Sequence, residues 1–134
     1  MAKQYTLGKN ERLKSRKQIE QLFKSGQRFV SPPFRIFYSF QTGSQPVRGH
    51  SLQAGFSASS RNFKTAVSRN RIKRLTKEAY RLQKNALQDK LEEQNRKLDI
   101  FFIYTGKELP AYTDVYNSIN AALGKLLAIN NKKI

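Results

Sequence analysis

The chain has 134 residues, with 26 Lys or Arg against 9 Asp or Glu, a formal net charge of +17 and no cysteine. This length allows one domain with a buried core, and the lack of cysteine excludes disulfide frameworks, thiol catalysis and zinc knuckles. A hydrophobic content of 38% is too rich for a disordered basic tail, so the charge predicts a folded protein that binds a polyanion.

Signals for membrane insertion and export are missing from the sequence. No apolar run approaches the roughly 20 residues that span a bilayer. The polar start at Met1–Thr6 does not resemble the hydrophobic region of a signal peptide. We therefore expect a single cytoplasmic domain over residues 1–134, with an ordered core from about 10 to 129.

The chain begins with a predicted amphipathic helix. Ser15 and Gln18 have the spacing of a capping box, in which two side chains satisfy free N–H groups at a helix start. Apolar residues at helical spacing follow, and Gly26 stands where a glycine commonly ends a helix. These signals predict a first helix from about 16 to 25.

Two predicted strands come next, after Pro32 and Pro33, which interrupt any helix. Alternating side chains predict one strand over 34–40 and another over 52–58. One face of the second strand is small and polar. The segment 43–49 between the strands contains glycines and a proline, which predicts a loop.

The segment 66–81 carries six Lys or Arg against a single acid, Glu78, and predicts a basic helix from about 65 to 87. At about 100° per residue, its side chains divide into a basic arc of roughly 140° and an apolar arc of roughly 80°. The basic arc contains Arg69, Asn70, Lys73, Arg74, Lys77, Tyr80 and Arg81, and the apolar arc contains Ile72, Leu75, Ala79, Leu82 and Ala86. A merely solvated face would interleave charges of both signs, whereas stacked like charges repel and need an external counter-charge.

The last two elements are a strand and a helix. Leu98–Tyr104 is apolar on both sides, which is typical of a strand with neighbours on each side. Helical spacing of apolar residues predicts a final helix from about 113 to 129. The order helix, strand, strand, helix, strand, helix predicts a small α/β sandwich with helices packed against a sheet.

Residues Ala66–Leu75 resemble the Arg-Asn-Arg signature helix of the bacterial ribonuclease P protein subunit. The triplet coincides with an apolar face and a basic face, which makes the resemblance specific. It extends over residues 10–128 and also includes Arg12, Leu13, Phe23, Gly26 and the segments 34–38, 55–59 and 98–104. One departure is Ser60, which stands where many members have the first of two consecutive basic residues.

The resemblance implies a two-layer α/β sandwich of ribosomal-protein type with a left-handed βαβ crossover. It implies a non-catalytic subunit that binds a catalytic RNA and the single-stranded 5′ leader of precursor transfer RNA. That RNA would remove the leader in a Mg²⁺-dependent endonucleolytic reaction, with Mg²⁺ held by RNA oxygens and none bound by the protein alone. Neither a membrane nor a further protein partner is implied.

Two sets of side chains are candidates for these contacts. The residues predicted to bind RNA are Arg61, Lys64, Arg69, Asn70, Arg71, Lys73, Arg74, Lys77 and Arg81. The residues predicted to line a leader-binding cleft between the first helix and the sheet are Phe23, Arg35, Phe37, Ser39, Ser57 and Ser59. An aromatic ring, a cation and hydroxyls together suit single-stranded nucleic acid. Arg61 and Lys64 could replace the charge that Ser60 lacks.

Structural roles stay open for four of these residues. Arg71 projects about 160° from Lys73, near Glu78, and could orient the helix start instead of meeting RNA. Asn70 could bond the backbone or cap the helix. Phe37 could be covered by the first helix, and Phe23 could belong to the core.

A catalytic constellation is not expected in the protein itself. The one histidine, His50, is predicted to lie on the surface of a loop, and the acids are scattered or sit at Glu92 and Glu93. Two-metal nuclease chemistry requires paired acids on rigid elements. The alternatives are a ribosomal or general RNA-binding protein of the same fold, a DNA-reading basic helix and a protein-only nuclease. The DNA alternative lacks the element that would give dimeric half-site geometry.

Overall fold

The computed structural model describes residues 12–13, 15–42, 52–94 and 96–132. Its elements in chain order are α1 (Arg16–Ser25), β1 (Gln27–Ser31), β2 (Phe34–Thr42), β3 (Leu52–Ala58), α2 (Ala66–Gln83), α3 (Asn85–Glu93), β4 (Arg96–Tyr104) and α4 (Tyr112–Lys132). The predicted loop 43–49 and His50 lie outside the described residues.

The first helix is confirmed at both ends. The Ser15 hydroxyl accepts a hydrogen bond from the backbone N–H of Gln18 at 3.3 Å, and the Gly26 N–H donates to the carbonyl of Leu22 at 2.9 Å. The strands β2, β3 and β4 and the final helix also form where the sequence predicts them. Local capping and alternation therefore account for most of the element order.

Two elements differ from the prediction. The strand β1 was not predicted, because its only half-buried side chains are Phe29 and Ser31 and this alternation is too short to recognise. A single helix from 65 to 87 is wrong, since α2 ends at Gln83 and α3 follows. The break allows Leu87 and Leu91 to point from α3 into the core, where both are buried.

The four strands form one sheet in the order β1-β2-β4-β3. The pairs β1 with β2 and β2 with β4 are antiparallel, whereas β3 runs parallel to β4. The chain passes from β3 to β4 through α2 and α3, which makes a βαβ connection. Its left-handed sense stays a prediction.

The two faces of the sheet are covered differently. On one face, α2, α3 and α4 enclose the main core, in which Phe34, Ile36 and Phe102 are fully buried. On the other face, α1 packs Leu22 against Phe37 and Phe101. Because side chains alternate along each strand, every strand contributes to both faces. Among the described residues, the cover of this second face is α1 together with Leu13, which is buried in the same cluster.

Gly124 offers a test of how α4 is packed, because a Cβ added there would meet nothing within 4 Å. We expect Gly124→Ala to raise the free energy of unfolding by about 1 kcal/mol, since alanine loses less backbone freedom in a helix. Gly55→Ala is the contrasting variant, because its Cβ would lie 2.6 Å from ring atoms of Phe101. It should lower stability by about 1 to 3 kcal/mol. Urea denaturation measures both, and a stabilising Gly55→Ala would contradict the sheet packing.

Candidate nucleic-acid interface

The start of α2 is fixed to the end of β4. Thr65 caps the helix by accepting a hydrogen bond from the Ser68 N–H at 3.3 Å. In the loop before it, the amide nitrogen of Asn62 donates to the carbonyls of Thr105 and Gly106, at 3.1 and 3.2 Å. These bonds hold the connection between β3 and α2 against the adjacent end of β4.

The rotation of α2 differs from the prediction at Tyr80 and Leu82. Tyr80 was placed in the basic arc, but it is fully buried, and its ring packs against Phe56 and Phe102 at 5.4 and 5.8 Å. Leu82 was placed in the apolar arc, but it is 38% exposed. Tyr80, at the border of the two arcs, turns inward because its ring packs against aromatic rings of β3 and β4.

This rotation leaves one cationic surface on α2, which we call the α2 basic surface. It consists of the exposed residues Asn70, Arg71 and Arg74 and the half-buried residues Lys73, Lys77 and Arg81. Arg71 and Arg74 lie three residues apart, about 60° around the helix, and so extend side by side from adjacent turns. Arg71 is exposed, and its contact with RNA stays a prediction.

Arg69 is directed differently from its neighbours. Its guanidinium donates to the backbone carbonyl of Phe63 at 2.7 Å, and the side chain is half-buried. A charge-assisted bond of this kind fixes the turn that leads into α2. Arg69 therefore has a structural bond in addition to the role predicted for it.

The acid of α2 pairs with Arg81. The Arg81 Nε donates to a carboxylate oxygen of Glu78 at 3.0 Å, and this bond lowers the pKa of Glu78. Both side chains are partly exposed, so the pair is screened by solvent. The pairing offsets part of the positive charge of Arg81. The end of the α2 basic surface around Arg71 and Arg74 is therefore more cationic than the end around Arg81.

Arg61 and Lys64 extend the positive charge beyond α2. Both are exposed in the loop between β3 and α2, next to Ser60, which is exposed as well. This loop is the one held by Asn62. The two cations thus lie between the α2 basic surface and the edge of the sheet, where the resemblance implies a basic pair.

On the opposite face, three phenylalanines form an aromatic cluster beside α1. The ring of Phe23 lies 4.8 Å from that of Phe37 and 5.2 Å from that of Phe101. Phe37 is only 8% exposed because α1 covers it. This is the interpretation in which the first helix covers Phe37. Phe23 is 41% exposed and is the ring of this cluster that stays accessible from solvent.

The predicted cleft residues fall into two groups along the strands. In the register of the sheet, Arg35 and Ser57 both pair with Ile103, whereas Ser39 pairs with Asp99. Arg35 is exposed at the end that α1 leaves open. Arg35 stands four positions from Ser39, a distance of about 13 Å along the strand. Ser59 lies just past β3, where its N–H donates to the carbonyl of Tyr104 at 3.1 Å.

Asp99 is a residue of this face that the sequence did not single out. Its side chain is buried, and burial raises its pKa, while Lys97, with Nζ 3.8 Å from Oδ1, acts in the opposite direction. It lines a cavity of about 230 Å³ between α1 and the sheet. The one feature of the sequence that could have identified Asp99 is its position. It is a single acid within the apolar run Leu98–Tyr104, at a strand position that is predicted to be buried.

Two features are absent from the part of the chain that the structure describes. Within it, no three His, Asp or Glu side chains stand close enough together to hold a metal ion. None of its helices combines the length and the apolarity needed to cross a membrane.

Residues 7–127 match the family model described as Ribonuclease P. A ribonuclease P protein component from Porphyromonas gingivalis is 37% identical over 119 residues, which cover 89% of this chain and 85% of that protein. Another from Chlorobium phaeobacteroides is 33% identical over 114 residues, with 80% and 78% covered. The fold is similar to that of the Staphylococcus aureus RNase P protein, with a TM-score of 0.61, 19% identity, and 87% and 94% of the two chains covered.

The buried carboxylate gives a pH-dependent prediction. Because the pKa of Asp99 is raised on folding, the folded state binds more protons than the unfolded state above the ordinary pKa of about 3.9. Stability should therefore fall as pH rises through that window, and Asp99→Asn should remove the fall and be the more stable protein at neutral pH. Urea denaturation between about pH 3 and 7 measures this. A variant that becomes less stable than the wild type as pH rises would mean that Lys97 outweighs burial.

Proposed function

Because this chain belongs to the ribonuclease P protein family, we propose that it is the protein subunit of a ribonuclease P particle, which binds the catalytic RNA and the 5′ leader of precursor transfer RNA. The observation that carries the proposal is the α2 basic surface. Its cations stand on a helix whose other side is buried through Ile72, Ala79 and Tyr80. The helix cannot rotate without breaking that packing.

The catalytic RNA is assigned to the α2 basic surface because phosphate contacts supply most of the affinity for a folded polyanion. Arginine forks match two phosphate oxygens, which suits Arg71 and Arg74 to specific positions on a backbone. Arg61 and Lys64 continue this contact toward the sheet. Arg69 contributes by fixing the start of the helix.

The leader is assigned to the opposite face, along the aromatic cluster. A half-exposed ring at Phe23 supplies a stacking surface, and Arg35 supplies a cation at the open end of the strands. Stacking on aromatic rings tolerates any base, which suits a leader of variable sequence. Ser57 lies across Ile103 of β4 from Arg35, two strands away, and can bond to the ribose or phosphate.

The chemistry is assigned to the RNA. Mg²⁺ prefers oxygen ligands and keeps several of its waters, and RNA phosphates are ligands of that kind. The described residues contain no set of carboxylates that fits the ion. In this proposal the protein positions the precursor and neutralises phosphate charge, and the hydrolytic step belongs to the partner RNA.

Arg71→Gln combined with Arg74→Gln should weaken binding of the catalytic RNA by about tenfold or more at low salt, because two charge-assisted phosphate contacts are lost. The slope of log affinity against log salt should become shallower by about 0.7 to 0.9 for each lost contact. Filter binding of the full chain to the cognate RNA over a salt series measures both quantities.

The matched control is Lys90→Gln combined with Lys132→Gln, which removes the same charge from α3 and α4. It should leave the salt slope close to that of the wild type. Equal losses for the two double variants would mean that net charge, and not the α2 basic surface, determines binding. RNA that copurifies with the protein is a further check, because ribosomal RNA in place of the cognate RNA would favour a general RNA-binding protein.

Phe23→Leu should weaken the reconstituted particle's binding of precursor transfer RNA by about tenfold, because a stacking surface is lost while most of the apolar packing is kept. Affinity for leaderless transfer RNA should not change. The control is Val67→Ala, which shortens a side chain that is 80% exposed on α2. A loss for Phe23→Leu that is independent of the leader would argue against the cleft.

A further inference from the structure

A groove lies at the end of the sheet where the turn between β1 and β2 meets the first turns of α4. Its volume is about 470 Å³. Its apolar walls are Pro32 and Pro33 of the turn, Leu109 and Pro110 of the segment before α4, and the ring of Tyr104. Leu109 is 47% exposed, so a large apolar side chain stays accessible from solvent. None of the residues assigned above to the catalytic RNA or to the leader lines this groove.

Hydrogen bonds between distant segments hold the walls of the groove together. The N–H and the hydroxyl of Thr105 both donate to the carbonyl of Pro33 at 2.8 Å. On the other side, the hydroxyl of Ser118 in α4 donates to the carbonyl of Pro32 at 3.1 Å. These bonds fix the shape of the groove, which lowers the entropy cost of ordering the site when a ligand binds.

Two carboxylates give the groove a negative potential within a chain of net charge +17. Glu108 and Asp114 line it, and both are exposed. Among the described residues, neither carboxylate forms an ion pair. Burial raises the pKa of the Tyr104 hydroxyl, and the charges of Glu108 and Asp114 raise it further. The two carboxylates therefore act on the same part of the groove.

Nucleic acid does not suit this groove, because the carboxylates repel phosphate groups. A metal ion would need more ligands, and in the described part of the chain no third His, Asp or Glu stands close enough to complete such a group. A ligand that joins a positive charge to an apolar group matches both the carboxylates and the apolar walls.

An extended peptide with Arg or Lys beside an apolar residue has these two groups at a fixed spacing. The cation can pair with the carboxylates while its methylene groups and the neighbouring side chain pack on Leu109 and the prolines. The net charge of +17 opposes any cation at long range. At physiological ionic strength, however, charges more than about 8 Å apart are largely screened. The nearby carboxylates therefore dominate the interaction at the groove.

We propose that the groove between the β1–β2 turn and α4 is a docking site for a basic, extended segment of a protein partner, in which one Arg or Lys pairs with Glu108 and Asp114. The inference goes beyond the proposed function and does not depend on it. A partner bound here would leave the α2 basic surface and the aromatic cluster accessible.

The test is an NMR titration of the isotope-labelled full chain with the blocked peptide acetyl-Ala-Leu-Arg-Leu-Ala-amide. The control probe is the same peptide with Gln in place of Arg. We expect the Arg peptide to shift the backbone amide signals of Glu108, Leu109 and Asp114, and the Gln peptide to bind more weakly. Leu109→Ala should weaken binding of both peptides, because the apolar contact is lost.

Glu108→Gln combined with Asp114→Asn should weaken binding of the Arg peptide by about fivefold, the size expected for the loss of two exposed ion pairs. The matched control is Glu92→Gln combined with Glu93→Gln, which removes the same charge from exposed positions of α3. It should leave the affinity close to that of the wild type. Urea denaturation of each variant checks that the fold is retained.

Several outcomes would overturn the docking site. Equal affinities for the two peptides, equal losses for the two double variants, or no shifts at the groove would each reject it. Spermidine that causes the same shifts at the same affinity would mean that the groove binds small amines. Shifts that appear on raising the protein concentration alone would assign it to a second copy of the chain. None of these measurements involves RNA, so a failure here leaves the proposed function standing.

Discussion

The burial of one side of α2 is the constraint on which the interface depends. Ile72, Ala79 and Tyr80 are fully enclosed, and the Tyr80 ring packs against Phe56 of β3 and Phe102 of β4. Apolar burial has no direction of its own, but a packed ring in a close-packed core fixes the rotation of the helix that carries it. The packing of the core therefore offsets the electrostatic repulsion among the neighbouring arginines. It keeps these side chains directed toward solvent even without a bound partner.

The sheet separates two surfaces of different chemistry. The face under α2, α3 and α4 is a continuous apolar core, so the charges on that side lie on the outer surface of a helix. The other face has a short helix as its cover, and this leaves a ring, a cation and a polar cavity accessible along the strands. Alternation along β2 and β4 produces both surfaces from the same strands.

Much of this arrangement could be predicted from the sequence, because capping signals and alternation are local. The remainder depends on contacts between distant residues. Helical geometry alone places Tyr80 with the cations, and only the aromatic neighbours supplied by β3 and β4 turn it inward. The choice between Phe37 and Phe23 as the accessible ring depends in the same way on how α1 crosses the sheet. Asp99 is one acid within an apolar run, and its cavity exists only after α1 has packed.

The amide of Asn62 joins the two surfaces. By holding the carbonyls of Thr105 and Gly106, it ties the loop that carries Arg61 and Lys64 to the end of β4, the strand that also supplies Phe101 and Ile103 to the face beneath α1. In the proposed function, the domain acts as a spacer between two nucleic acid segments. The separation between them is set by the thickness of the sheet and its helices, and stays constant whatever sequence either segment has.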